Sequence, residues 1–111
     1  MDNYEKKCKE LDIELAALLG TPVFIDEETG HMWYEGDIYY TQELKRWTQN
    51  DAEAFRLAVE QEINWHLSRD YDEIVTNYGV KLDTQDFTSD LAVVRYAIVQ
   101  AVINKLKASH G

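Results

Sequence analysis

Asp83, Asp86 and Asp90 fall within the eight residues DTQDFTSD, and Asp26, Glu27 and Glu28 run consecutively. Carboxylates grouped in this way are the raw material of a cation site or of a general acid and base pair. A calcium loop needs a different spacing and a glycine at its sharp turn, and DTQDFTSD has neither. The aspartates up to Asp90 read instead as favouring a helix start, and DEE as a solvated loop. His31, His66 and His110 never pair at metal-ligand spacing, and His66 reads as a surface histidine. Cys8 is the one cysteine, so no internal disulfide can form, and with no histidine close in sequence it reads as a surface thiol on a lysine-rich stretch. There is no GxSxG, HExxH, CxxC or glycine-rich phosphate loop. The expectation is a chain with no cofactor and no metal, and not an enzyme.

Binding residues are easier to nominate. HMWYEGDIYY sets four aromatic residues among acidic side chains. Trp33, Tyr34 and Tyr39, flanked by Asp26, Glu27, Glu28, Glu35 and Asp37, are the candidate protein-binding set, because aromatic anchors within a charged rim are the usual makeup of interface hot spots. The formal net charge is -10 over 111 residues. Residues 21–44 carry six acids and no base, and residues 70–90 carry six acids against one base. Such a field repels phosphates and anionic membranes and draws basic surfaces over roughly ~8 Å at physiological salt. Direct nucleic-acid binding is therefore disfavoured. No run approaches the ~20 apolar residues of a membrane span, and MDNYEKKCKE lacks a signal-peptide core, so a cytoplasmic protein is expected.

Periodicity supplies the elements that must position these residues. Leu11, Leu15, Leu18 and Leu19 trace a helical stripe, with Gly20 as a natural end, predicting a helix from about Tyr4 to Leu19. PVFID and HMWYE read as an antiparallel hairpin, and Ile38 to Tyr40 as a further strand or a loop followed by a turn of helix from Thr41. A second helix, capped by Asn50 or Thr48, has Phe55, Ala58, Val59 and Glu62 at helical spacing. Ile63, Trp65 and Leu67 alternate as a strand, as do Ile74, Thr76 and Tyr78, with Gly79 as a bulge or bend before Val80 and Leu82. The last helix, capped by Thr88 or Ser89, has a face of Leu91, Val94, Ile98, Ala101, Val102 and Leu106 and should be the most buried. The expected fold is a single α+β domain over residues 1–111. Its antiparallel sheet of four to five strands is covered by about three helices, in the order α-β-β-(β)-α-β-β-α.

The segments LDIELAALLG, RWTQNDAEAFRLAVE and LAVVRYAIVQAVINKL, in that order around a strand-rich stretch, resemble the small phage and prophage proteins of the phage ABA sandwich domain family. RWTQND departs from the Tyr-Ser-Thr-Asp form of that family's second helix start. The resemblance implies a phage or mobile-element origin and no defined activity. For a protein of that kind, the acidic aromatic set implies docking on a basic host protein, such as a nucleic-acid-binding defence effector, with carboxylates in the place of phosphates. Two further readings are a homodimer closed by the aromatic hairpin, and a small-molecule binder whose pocket between sheet and helices is lined by Trp65, Tyr71 and Tyr78.

Overall fold

The computed structural model describes residues 3–20, 23–25, 32–34 and 45–110, with residues 23–25 and 32–34 and His110 described by backbone alone. The described residues hold three α-helices: α1 (Tyr4–Leu18), α2 (Asp51–Glu60) and α3 (Asp90–His110). Each begins or ends as its sequence dictates. Gly20 takes a left-handed φ of 86° after α1 and its amide donates to the Ala17 carbonyl, closing the last turn. The Asn50 side chain accepts from the Glu53 amide, and the Ser89 hydroxyl from the Ala92 amide, satisfying first-turn donors of α2 and α3.

The strands correct the expectation. The described residues hold two separate sheets rather than one of four to five strands. One is a ribbon in which β1 (Val23–Ile25) pairs antiparallel with β2 (Met32–Tyr34). The other is a three-stranded antiparallel sheet in the order β3 (Trp65–Ser68), β4 (Glu73–Thr76), β5 (Lys81–Asp83). Gly79 makes the difference. At φ 78° it forms part of a tight turn, with the Thr76 amide donating to the Val80 carbonyl, so that Leu82 belongs to a new strand after Val80 and not to a bent continuation of β4, and three strands rather than the expected two stand between α2 and α3. A 3-10 turn over Thr84–Asp86 then leads to α3. The segment around Ile38 and Tyr40, read as a further strand or loop, lies outside the described residues.

α3 is the centre of the molecule. Ala92 to Val94, Tyr96 to Val99 and Ala101 to Ile103 are buried, because α1, α2 and the three-stranded sheet all pack on this one helix. Leu67, Ile74 and Leu82 stand in register across the sheet and face the core, while the opposite face carries His66, Glu73, Val75, Lys81 and Asp83. Leu91, expected on the buried face of α3, is 49% exposed in its first turn. α2 is also rotated from its expected setting. It buries Leu57 together with Ala54 and Ala58, two small residues that let the helix pack on α3, and leaves Phe55 and Val59 outside. No helix among the described residues is long and apolar enough to cross a membrane.

Candidate protein-binding surface

Asp26, Glu27, Glu28, Glu35, Asp37 and Tyr39 lie outside the described residues. Trp33 and Tyr34 are placed by backbone on β2, opposite Phe24 and Val23. Trp65, Tyr71 and Tyr78 are not brought together as a pocket. Trp65 stacks on Phe55 of α2, Tyr71 stands 78% exposed at the far turn of the sheet, and Tyr78 lies under Lys105 of α3.

The densest polar cluster is internal and structural. Asp12 is fully buried on α1, where its carboxylate accepts from Arg46 Nε at 2.8 Å, the Thr48 hydroxyl at 2.7 Å and the Thr48 amide at 3.1 Å. Burial pushes this carboxyl above the usual carboxylate range, opposed by the Arg46 and Thr48 donors. Arg95 of α3 continues the cluster by donating to the Thr48 carbonyl at 2.9 Å and to Asp51 at 2.5 Å. Cys8 is buried here too, and not on the surface as its lysine-rich setting suggested. The helical period explains it: Cys8 lies one turn from Asp12 and two from Leu15 and Ala16, on the face of α1 that packs inward. Burial pushes its thiol above its ordinary range, which leaves it protonated and unreactive near neutral pH.

The exposed chemistry lies at the turns of the three-stranded sheet. Asp70, Tyr71 and Asp72 form the turn between β3 and β4, and Asp83 ends β5 beside it, followed by Thr84 to Asp86. Two bonds lock these segments together. The Thr84 amide donates to the Asp72 carbonyl at 2.8 Å, and the Gln85 side chain donates to the Asp72 carboxylate at 3.1 Å. Asp83 in turn caps the 3-10 turn by accepting from the Gln85 amide at 2.8 Å. Tyr71, Asp72, Glu73, Lys81, Leu82 and Asp83 line a shallow recess.

Glu73 and Asp83 are directly opposite across β4 and β5, an arrangement of like charges that weakens a sheet. The Lys81 ammonium, 3.4 Å from Glu73, offsets it. Acids held where they oppose the fold, around an exposed ring on a tied turn, form a preorganised acidic platform. Sequence reasoning set Asp83 and Asp86 aside as a cation loop and read them, with Asp90, as favouring a helix start. Among the described residues no cluster of histidine, cysteine and carboxylate groups is arranged to hold a metal. The signal that was available is the charge excess over residues 70–90, which includes Tyr71.

Compared with protein-family models, with curated proteins and with solved structures, the chain finds no match in any of the three.

Proposed function

We propose that this chain is a non-enzymatic protein-binding module that docks a basic protein surface on the Tyr71 platform. The observation that carries the reading is the exposure of Tyr71, at 78%, on a turn fixed by Asp72, next to Asp70 in sequence and at a recess lined by Asp72, Glu73 and Asp83 together with Lys81. A large ring at the centre supplies contact area at small entropic cost because its support is already ordered. The carboxylates around it steer a cationic partner and fix its orientation. A surface that receives Lys and Arg side chains in this way fits a protein whose own ligand is a nucleic acid, and the phage-like character of the helices makes a host defence effector the fitting example. Asp26, Glu27, Glu28, Trp33, Tyr34, Glu35, Asp37 and Tyr39 extend the proposal as a second acidic, aromatic segment of the chain.

The test is capture by tagged protein at low and at 0.5 M salt, with duplex DNA as competitor and Tyr71→Ala and Asp70→Lys as variants. The expected result is a basic nucleic-acid-binding protein that is retained at low salt, released by salt or DNA, and lost with both variants. Retention unchanged in both variants sinks the reading.

A further inference from the structure

A groove opens at the start of β3, at the far end of that strand from the Tyr71 turn. Ala58 and Ile63, each 6% exposed, floor it, and the rings of Phe55 and Trp65, 36% and 41% exposed, line it. Strand alternation turns Trp65 to the same face as Leu67, where it meets α2, and the two rings lie nearly parallel, at 21° with centroids 6.4 Å apart. Val59 stands exposed at the rim. The volume, about 390 Å3, is that of a small ligand site.

The one charged residue of this lining is Glu62. It is exposed, and no hydrogen bond or ion pair among the described residues takes up its carboxylate. Its backbone is left-handed, at φ 56°, so a carboxylate is kept where the chain conformation favours glycine. Lys105, which donates to the neighbouring Gln61 carbonyl, lies over the Tyr78 ring and does not line the groove. The main-chain acceptors nearby are already bonded. The Ile63 amide donates to the Ala58 carbonyl and the Glu62 amide to the Val59 carbonyl, while Asn77 donates to the Glu62 and Asn64 carbonyls through its side chain and its own amide.

A visiting group therefore meets aromatic faces, aliphatic side chains and one negative charge, with few free acceptors. That combination selects a cation without N–H donors. An ammonium brings three donors and a guanidinium five, which water satisfies better than this lining does. A methylated ammonium carries its charge under hydrocarbon and is drawn by ring faces and carboxylate together.

We propose that the groove receives a methylated lysine side chain of a partner protein, its trimethylammonium group against Phe55 and Trp65 and beside Glu62, its methylene stem along Val59. The openness of the groove favours a side chain over a free metabolite. A small molecule is held by burying most of its surface, and here the partner's own surface completes the enclosure. The site stands apart from the Tyr71 platform and does not depend on it.

NMR titration of the full chain, read at the Trp65 indole N–H, tests this with the capped tripeptide Gly-Lys-Gly, its lysine trimethylated or unmodified. Choline, and the uncharged alcohol in which carbon replaces its nitrogen, are the controls. The trimethylated peptide is expected to bind with a Kd of about 1 mM, and the unmodified peptide and choline each about tenfold more weakly. Glu62→Gln and Phe55→Leu, both at side chains that reach solvent, are expected to stay folded and to weaken the trimethylated peptide about fivefold or more. Equal affinity for the two peptides overturns the selection for methylation, and equal affinity for choline and its uncharged counterpart overturns the recognition of charge. Choline bound as tightly as the trimethylated peptide overturns the lysine and leaves the groove to a free metabolite. Affinity unchanged in folded Glu62→Gln and Phe55→Leu, or no shift of the Trp65 signal up to about 20 mM peptide, overturns the site itself.

Discussion

Asp12 on α1 and Thr48, 36 residues further along, are joined twice, through the Thr48 amide at 3.1 Å and its hydroxyl at 2.7 Å. The pair fastens the chain just before α2 to the first helix, and Arg95 fastens the same point to α3 by donating to the Thr48 carbonyl. All three helices thus meet at one polar junction.

Asp12→Ala strands the donors of Arg46 and Thr48 in a dry site. Breaking a buried pair from one side costs about 3–5 kcal/mol, and the lower end is expected because the Arg46 side chain is 27% exposed and can turn toward water. Thr48→Val keeps the shape and removes one donor, for about 1–2 kcal/mol. Urea unfolding of the two single variants and the double variant measures the coupling; additive losses would show that the two residues do not act together.

Asp83→Asn separates function from stability. The amide oxygen can still accept from the Gln85 amide, while the repulsion from Glu73 is removed. Stability is expected to rise by about 0.5 kcal/mol, within the range of cross-strand pairs. Association with the basic partner is expected to slow, most clearly at low salt. A variant that loses both stability and binding would mean that Asp83 serves the fold rather than the partner.

These residues show why the sequence was legible in some places and not in others. Helix boundaries were readable because Asn50, Ser89 and Gly20 act within their own turns. The number of strands after α2 was not, because Gly79 supports either a bulge or a turn, and only the Thr76 to Val80 bond decides. Likewise, α2 offers two overlapping stripes. Hydrophobicity favoured the one through Phe55 and Val59, whereas close packing on α3 chose Ala54, Leu57 and Ala58. Burial of Cys8 was hidden for a related reason: the lysines around it occupy the other faces of α1. At the candidate platform, charge density was visible in the sequence, but the bonds from Thr84 and Gln85 to Asp72 join segments more than ten residues apart.

The rotated setting of α2 has its own test. Leu57→Ala empties a place that is 4% exposed and is expected to cost about 2–4 kcal/mol. Val59→Ala, at 79% exposure, is expected to change stability by less than about 0.5 kcal/mol. Comparable losses at the two positions in thermal or urea unfolding would require α2 to turn its other stripe inward.

Alkaline pH probes the interior near α1. Tyr4 packs against Phe87 and Tyr96 at ring-centroid distances of 5.7 and 6.3 Å, and its shielded hydroxyl has no hydrogen-bond partner among the described residues. Burial, the largest cause, pushes Tyr4 up to about 12 from an ordinary 10.0 and raises Tyr96 and Cys8 as well. The charged form of each is the deprotonated one, so the folded chain keeps these protons to higher pH than the unfolded chain does. Above the ordinary values the unfolded state binds fewer protons, and stability falls as pH rises. The stabilisation is complete below the ordinary thiol value of 9.0 and, for Tyr4, is lost between 10.0 and about 12. Tyr4→Phe removes an unpartnered hydroxyl, so at pH 7 it is expected to leave stability equal or up to about 1 kcal/mol higher. It also removes one titrating group, so the decline above pH 10 is expected to be shallower. Urea midpoints for both chains at intervals from pH 7 to 11 decide it: parallel alkaline arms would show that ionisation of Tyr4 is not among the causes of the loss.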